Sequence, residues 1–456
     1  ISLEESVMER FYHSVTLDVD KCVGCTNCIK RCPTEAIRVR EGKAIITPER
    51  CIDCGVCIRV CPHHAKKAKF DHLEMLNRFT YNIALPAPSL YGQFRHLDHI
   101  DLILTALKRL GFDDIFEVSK AAELVSDATR KIILDGNMPK PIISSACPAI
   151  VRLIRVRFPD LCAHVLPLHA PMETAALLAK EEAHQKTGLP IEQIGVFFIT
   201  PCAAKVTDIK SPIGTTISHV DGAIAISEIY YQLADAMKHI EKAEPLSQSG
   251  VIGVGWASSG GEASALLNDR YLAADGMENI IDILEGLEEE RIQELDFVEL
   301  NACTGGCVGG IFCIENAYVA KARLQSLRRY LPVAKNHLPS QIPAYMKWTD
   351  DLEFAPVLKL SDNLEEAMDM MNRIDSMCKE FPGLDCGACG APTCHAFAED
   401  VVCGLADKSN CIFVMKEEIK QVTDTLSHMA HMNPPLQNKG KIQNHKIQGA
   451  HEKNSS

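Results

Sequence analysis

The chain has 456 residues, 46% of them hydrophobic and 23% charged, the balance of a soluble globular protein with room for about two to four domains. Its formal net charge of −13 argues against nucleic acid and against an anionic membrane surface as partners. No apolar run approaches the length of a membrane span, and the first ten residues lack the basic and apolar regions of a signal peptide. The 20 cysteines fall mostly in C-x-x-C groups, which in a long chain indicate metal binding in a reducing compartment rather than disulfides. Composition therefore predicts a cytoplasmic metalloprotein.

The N-terminal region contains the pattern C-x-x-C-x-x-C-x-x-x-C-P twice, ending at Pro33 and at Pro62. Bacterial two-cluster ferredoxins use this run, and in them the fourth cysteine of each run ligates the other cluster. A pair of zinc sites is the alternative, although zinc ribbons need neither the third cysteine nor the proline. We expect an α+β ferredoxin-like domain over residues 1–75 that carries electrons on two [4Fe–4S] clusters. The resemblance assigns the first cluster to Cys22, Cys25, Cys28 and Cys61, and the second to Cys51, Cys54, Cys57 and Cys32.

From about residue 79 to residue 350, apolar runs alternate with amphipathic stretches, which predicts a central α/β domain over 76–350. Strands are expected at Y-N-I-A-L-P, P-I-I-S-S-A, G-V-F-F-I-T and F-V-E-L-N, and a further strand at V-I-G-V-G-W-A-S before a Gly-Gly turn. Three of these runs end next to cysteines, namely Cys147, Cys202 and the pair Cys303 and Cys307. Because ligands bind at the carboxyl ends of strands in open α/β sheets, we expect the four thiols to meet in one metallocluster at the rim of a sheet.

The motifs S-A-C-P, P-C-x-x-K and E-x-x-x-C-x-G-G-C-x-G-G follow in this order, and together they resemble the catalytic region of [FeFe]-hydrogenases. The resemblance implies an iron hydrogenase that interconverts dihydrogen with protons and electrons at an H-cluster. Its [4Fe–4S] cubane would be held by the same four cysteines, with Cys307 bridging to a two-iron unit that bears carbon monoxide, cyanide and a bridging azadithiolate. Lys205 matches the family lysine that binds an iron-bound cyanide. The stretch Ala87-Pro88-Ser89 resembles the family's A-P-S/A, so Ser89 is expected to touch the other cyanide.

The chain departs from catalytic members of the family at four positions. Ala146 stands where those members have a proton-relaying cysteine, Thr200 and Asn301 stand where methionines are usual, and Asp208 replaces a glutamate. The pattern resembles the sensory branch of the family, here without a PAS domain, and predicts slow turnover in a hydrogen or redox sensor or relay. The alternative is a non-catalytic electron-transfer or cluster-assembly protein that lacks the two-iron unit. The intact Lys205 and the intact glycine loop disfavour this alternative.

Two carboxylates are predicted to carry protons in place of the missing cysteine. A proton donor must lie within hydrogen-bond reach of the reacting amine, or one water away, and the methyl group of Ala146 cannot serve. Glu299 precedes Cys303 by four residues, and Glu262 follows the Gly-Gly turn. Alternatively, Glu299 satisfies a local hydrogen bond and Glu262 starts a helix, where the helix dipole favours a carboxylate.

The C-terminal region contains C-x2-C-x4-C-x16-C after a predicted helix at L-E-E-A-M-D-M-M-N-R-I-D. This spacing resembles the small [4Fe–4S] domain of some electron-transfer subunits and sensory hydrogenases, and it predicts a domain over 351–430. The resemblance implies a fourth [4Fe–4S] cluster, on Cys386, Cys389, Cys394 and Cys411.

A last helix is predicted after the fourth cysteine, because apolar residues recur there at alternating steps of three and four. These residues are Ile412, Met415, Ile419, Val422, Leu426 and Met429. Such a stripe is typical of a helix packed on its own domain or of a short coiled coil, and the second case would give a homodimer. Residues 431–456 are polar and are predicted to be disordered. The predicted partners are dihydrogen, protons and a redox partner protein, either a ferredoxin or a signalling protein.

Overall fold

The structure, a computed structural model, describes residues 12–357 and 359–431. The prediction on the first ten residues and the predicted disorder of 431–456 therefore concern stretches outside the described residues, apart from residue 431 itself. Within the described ranges, no helix combines the length and the apolar character that a membrane span requires.

Two antiparallel strand pairs and two one-turn helices make up the N-terminal unit. In chain order these elements are β1 (Val15–Leu17), α1 (Asn27–Lys30), β2 (Ile37–Arg40), β3 (Lys43–Ile46), α2 (Val56–Arg59) and β4 (Lys66–Ala68). β1 pairs with β4, and β2 pairs with β3. Each cysteine run lies between two strands and places its third cysteine on a helix, Cys28 on α1 and Cys57 on α2. The sequence repeat therefore corresponds to a structural repeat, as the α+β prediction required.

The central unit contains seven strands in two parallel sheets. The strands are β5 (Tyr81–Pro86), β6 (Asp114–Ile115), β7 (Ile142–Ile143), β8 (Ile194–Thr200), β9 (Gly222–Ala225), β10 (Tyr271–Asp275) and β11 (Phe297–Asn301). One sheet has the order β6-β5-β8-β9 and the other has the order β10-β11-β7. All residues of β8 are buried. A parallel strand that is covered on both faces requires apolar residues at every position, which explains the continuous apolar run in this part of the sequence. The prediction of α/β architecture is confirmed, but the sheet is divided in two.

Ten helices cover the two sheets of the described central unit. They are α3 (Ile100–Arg109), α4 (Val118–Asp135), α5 (Pro148–Arg157), α6 (Pro171–Thr187), α7 (Ala203–Lys210), α8 (Ile226–Lys238), α9 (Val251–Gly255), α10 (Gly261–Ala265), α11 (Met277–Glu288) and α12 (Ala317–Arg328). α3 ends just before Leu110 and Gly111, and α5 and α7 directly follow Cys147 and Cys202.

The strand predicted at V-I-G-V-G-W-A-S is wrong, because the segment forms the short helix α9. Its β-branched residues favour a strand by propensity, but its glycines allow a contact that only a bare backbone can make. A Cβ atom on Gly253 would lie 2.1 Å from the carbonyl oxygen of Ser119 on α4. Tertiary packing against α4 therefore overrides the local preference.

The C-terminal unit contains three further helices, α13 (Leu364–Glu380), α14 (Cys394–Val402) and α15 (Ile412–His431). Asn363 caps the first and Thr393 caps the second with side-chain oxygens that accept backbone N–H groups. The small core contains the buried side chains of Ile374, Phe381 and Phe397. The apolar stripe on α15 is 43% to 62% exposed; Ile412 lines the cavity of the C-terminal cysteines, and the rest of the stripe is left largely uncovered.

Candidate metal centre

Four cysteines from separate parts of the central unit meet between the two sheets. Cys147 and Cys202 are the N-cap residues of α5 and α7, which follow β7 and β8. Cys303 follows β11, and Cys307 begins a single 3₁₀ turn. Since β8 belongs to one sheet and β7 and β11 to the other, the expected single rim is in fact the junction of two sheets.

The four thiols are suited to a metal cluster and to little else. Burial, with a smaller contribution from the neighbouring Cys147, raises the pKa of Cys202 to about 11 and that of Cys307 to about 12. Burial likewise raises the pKa of Cys303 well above its usual value. Thiolates are the metal-binding form, so a metal must displace these protons. Clustered soft sulfur donors select iron–sulfur clusters, zinc or copper(I) over hard cations.

The glycines around Cys307 allow the loop to approach neighbouring backbone more closely than any side chain would permit. Gly306 has a φ of +88°, and a Cβ atom there would lie 2.4 Å from the amide nitrogen of Ser259. A Cβ atom on Gly310 would lie 2.2 Å from the carbonyl oxygen of Pro201. The loop is therefore held against the segment that carries Cys202, which keeps the thiols together.

A cavity adjoins two of these cysteines, Cys147 and Cys307. Lys205 is 8% exposed, and its Nζ donates a hydrogen bond to the carbonyl oxygen of Ala146 at 3.0 Å. No described carboxylate lies within 4.0 Å of this ammonium group. Ser89 is fully buried, and its hydroxyl has no partner among the described residues. The lining includes Ser89, Ala146, Cys147, Lys205, Trp256, Glu262, Glu299 and Cys307.

Glu299 and Glu262 both line the cavity, but their carboxylates differ in how they are bonded. Glu299 accepts hydrogen bonds from the amides of Gly260 and Ala263 at 2.9 and 2.8 Å, and from the side chain of Asn301 at 2.7 Å. It thus caps the start of α10, which is the local role that the sequence left open as an alternative. Both of its oxygens are engaged, so the geometry disfavours Glu299 as the first proton donor.

Glu262 is the freer of the two carboxyl groups. Its Oε2 accepts a hydrogen bond from the hydroxyl of Ser144 at 2.6 Å. Burial raises its pKa to about 8, and the negative charge of Glu299 contributes to that rise. The raised pKa favours the protonated form of Glu262, which can donate a proton, although Glu262 also stands in the first turn of α10.

Sequence reasoning missed Ser144, which connects Glu262 to the backbone beside the cysteines. The Ser144 hydroxyl accepts a hydrogen bond from the amide of Ala146 at 3.1 Å while it donates to Glu262. The only available signal was a pair of serines before A-C-P. Thr200, which stands where the resembling family usually has a methionine, has a structural role. Its hydroxyl accepts a hydrogen bond from the amide of Cys202 at 3.1 Å.

One N-terminal cysteine, Cys32, lies with the run to which it does not belong in sequence; the assignment of Cys61 to the first cluster stays a prediction. Burial raises the pKa of Cys51 and of Cys54 well above the usual value, and the thiol of Cys32 raises both further. Cys32 therefore lies with the second run, although it belongs to the first. The amide of Ala36 donates to its sulfur at 3.2 Å, a bond that favours the charged thiolate.

The C-terminal cysteines enclose a small apolar cavity of their own. Its lining includes Phe381, Gly387, Phe397, Cys386, Cys389, Cys394 and Cys411. Cys403, which lies between the third and fourth of these in sequence, is exposed and does not line the cavity. The four predicted ligands are thus brought together, and the extra cysteine is left out.

Comparison with known families gives independent support to each of these sites. The family described as "Iron only hydrogenase large subunit, C-terminal domain" matches residues 80–272 and 267–311. A family described as "4Fe-4S dicluster domain" matches residues 14–62, and a family described as "Putative Fe-S cluster" matches residues 381–413. The chain therefore binds iron–sulfur clusters, and the predicted fold class is confirmed.

Individual relatives are distant. The chain is 24% identical over 370 residues to iron hydrogenase 1 of Clostridium pasteurianum, a match that covers 65% of this chain and 64% of that protein. It is 25% identical over 367 residues to the periplasmic [Fe] hydrogenase large subunit of Nitratidesulfovibrio vulgaris, and this match covers 65% of this chain and 86% of that protein. An [FeFe]-hydrogenase structure from Chlamydomonas reinhardtii is similar with a TM-score of 0.47 and 16% identity, covering 57% of this chain and 90% of that one.

The chain spans less than two thirds of the Clostridium protein, so the whole activity of that relative does not transfer with the match. The hydrogenase family itself covers residues 80 to 311, about half of the 456 residues, and includes all four central cysteines and Lys205. On that ground the chain belongs to the iron-only hydrogenase large-subunit family.

Proposed function

We propose that the protein interconverts dihydrogen with protons and electrons at an H-cluster, slowly, and serves as a hydrogen or redox sensor or relay. In this proposal Cys147, Cys202, Cys303 and Cys307 hold a [4Fe–4S] cubane, and Cys307 also bridges to a two-iron unit with carbon monoxide, cyanide and a bridging azadithiolate. The two N-terminal sites and the C-terminal site each hold a further [4Fe–4S] cluster, which makes four cubanes in all.

The buried ammonium group of Lys205 is the observation that carries the proposal. Buried charges in proteins are paired with an opposite charge or with several hydrogen bonds, but in the described residues Lys205 has one carbonyl partner and no ion pair. An anionic ligand in the adjoining cavity would supply the missing partner, with a charge-assisted hydrogen bond. The unpartnered hydroxyl of Ser89 supports a second polar contact in the same cavity. Both groups fit a two-iron unit that bears two cyanides.

When bound, the two-iron unit supplies the site at which dihydrogen is split and an amine that exchanges the proton. The residues of this chain orient that unit, exclude water and move the proton. Lys205 holds the anionic ligand, and Met172 and Phe198 are among the apolar residues that line the cavity. Glu262 lines the same cavity, and its raised pKa favours the protonated form, so it can donate a proton through one water.

The absence of the relay cysteine supports slow turnover. Ala146 lines the cavity but has no titratable group, and its carbonyl oxygen accepts from Lys205. Protons must then travel by Glu262 and Ser144, a route with one fewer titratable group beside the reacting amine. Ala146→Cys tests this reasoning, and faster turnover in that variant would support it. Glu262→Gln should slow turnover further, whereas full turnover in this variant across pH would show that the proton takes another route.

Infrared spectroscopy of the matured protein tests the two-iron unit directly. Bands from iron-bound carbon monoxide and cyanide are expected in the full chain and should be weakened or lost in Lys205→Met, while the iron of the cubanes stays unchanged. The nearby Lys210 pairs with Asp71 on the surface, so Lys210→Met is a matched control that should retain the bands. A matured protein that holds its cubanes but shows no such bands would favour the second candidate, a non-catalytic electron-transfer or cluster-assembly protein.

A further inference from the structure

The C-terminal unit docks on the N-terminal unit through a group of ion pairs that connect two cluster-binding regions. The side chain of Asp400 is 6% exposed and accepts from Arg38 at 2.8 Å and from Arg40. Glu399 accepts from Arg50 at 2.6 Å, and both of these side chains are 17% exposed. Charged groups at this level of burial are placed by their partners, so the docking has one defined geometry.

The cysteine loop of the C-terminal unit lies directly on the N-terminal unit. The amide of Val39 donates to the carbonyl oxygen of Gly390 at 2.8 Å. Gly390 has a φ of +82°, and a Cβ atom there would lie 1.9 Å from the carbonyl oxygen of Val39. Arg40 also donates to the carbonyl oxygen of Cys389 at 3.2 Å. The backbone around one proposed cluster ligand is thus in contact with β2.

The same loop reaches the helix that carries the first N-terminal cysteine run. A Cβ atom on Gly387, between Cys386 and Cys389, would lie 3.1 Å from Lys30 and 3.5 Å from Thr26. Lys30 donates to the carbonyl oxygen of Pro392 at 3.0 Å. Both Thr26 and Lys30 flank Cys28 on or beside α1. The C-terminal unit therefore adjoins the first run at Thr26 and Lys30, and it also adjoins the start of the second run, where Arg50 pairs with Glu399.

The second N-terminal run also contacts the central unit. Arg59 donates to the carbonyl oxygen of Gly309 in the glycine loop, and a Cβ atom on Gly55 would lie 3.3 Å from Ile311. Cys54 packs in the same apolar cluster as Cys147 and Cys202. The N-terminal unit thus stands between the C-terminal cysteines and the central ones.

We propose that the cluster sites form a single electron relay in series, with the C-terminal site as its outer port. This inference rests on the proposed function, because it assigns the order in which electrons leave the hydrogen-activating site. Each step moves one electron from a reduced cluster to an oxidised neighbour. An electron from the central site would enter the N-terminal unit at the second run, cross the N-terminal unit, and reach the C-terminal site last. A one-electron redox partner would then be served at the C-terminal unit.

Electron paramagnetic resonance of the fully reduced, loaded protein tests the docking without any hydrogen chemistry. After reduction with dithionite, the signal of the C-terminal cluster should be broadened by its paramagnetic N-terminal neighbour. Asp400→Arg should abolish that broadening while iron and sulfide content stay unchanged. Asp375 is exposed on α13 and makes no ion pair among the described residues, so Asp375→Arg is the matched control and should retain it. Broadening that persists in Asp400→Arg would overturn the docking.

The order of the relay is tested by removing one link. In Cys54→Ala, which lacks the second N-terminal cluster, dihydrogen should no longer reduce the C-terminal cluster, whereas dithionite still should. Reduction of the C-terminal cluster by dihydrogen at the wild-type rate in this variant would show a parallel exit and overturn the series. If dihydrogen reduces no cluster even in the wild type while the broadening is present, the proposed function fails and the docking stands.

Discussion

Replacing Glu262 by glutamine gives a prediction whose size follows from the structure. The carboxyl group is fully buried, accepts from Ser144 at 2.6 Å, and has a pKa of about 8 against an ordinary value of 4.5. At about 1.4 kcal/mol per pH unit, that difference corresponds to an upper limit of about 5 kcal/mol. Because the pKa is raised, the folded protein holds the proton more tightly than the unfolded chain. The contribution of this carboxyl group to the free energy of unfolding is therefore fully present below pH 4.5. It decreases as the pH rises and is lost above a pH of about 8.

Thermal unfolding midpoints of wild type and Glu262→Gln, measured at one scan rate across this pH window, test the reasoning. Comparison at a fixed scan rate is appropriate because cluster-containing proteins unfold irreversibly. Glutamine keeps an oxygen for Ser144 and carries no charge, so the midpoint of the variant should exceed that of the wild type increasingly toward high pH. Glu192 is exposed, and Glu192→Gln should follow the wild type throughout. Parallel curves for Glu262→Gln and wild type would refute a buried, proton-holding carboxyl group.

Three further predictions concern the clusters and the last helix. Gly306 has a φ of +88°, and a Cβ atom there would lie 2.4 Å from Ser259, so Gly306→Ala should lose iron from the central site. Gly383 also has a positive φ, +63°, but a Cβ atom there would meet no atom within 4 Å, so Gly383→Ala is the control and should retain that iron. Cys386→Ala should lower the iron content by one cubane and leave infrared bands of the two-iron unit unchanged; loss of those bands would contradict separate sites. Truncation after Cys411 removes the exposed stripe of α15 and should convert a dimer to a monomer in sedimentation, and a full chain that is monomeric at micromolar concentration would end this idea.

Prediction from the sequence worked best where chemistry demands a fixed local spacing. The N-cap positions of Cys147 and Cys202 follow from a strand, a cysteine and a helix that are contiguous in the chain. It failed where a distant contact decides the outcome. The residues of α9 favour a strand locally, but Gly253 packs its bare backbone on Ser119, which is far away in sequence.

The two carboxylates show the same limit at the candidate site. Both could be named from the sequence, but their roles depend on which donors surround them. Glu299 meets two amides of the turn before α10, whereas Glu262 meets one hydroxyl and is otherwise buried. The role of Glu299 as a proton carrier therefore stays a prediction, and its hydrogen bonds disfavour it. The sensory role and the dimer also stay predictions.

By itself, the sequence determined the family, the three cysteine-rich regions and the residues around the central site, because cluster ligation requires sulfur donors at short, recurring spacings. Only the tertiary structure decided that the four central cysteines meet between two sheets and that the C-terminal cysteines face the N-terminal unit. The docking depends on Arg38 and Arg40, which lie about 360 residues before Asp400. Pairing between residues so far apart leaves no periodic pattern along the chain. Any acidic residue could in principle pair with these two arginines, so the sequence alone does not indicate that Asp400 is their partner.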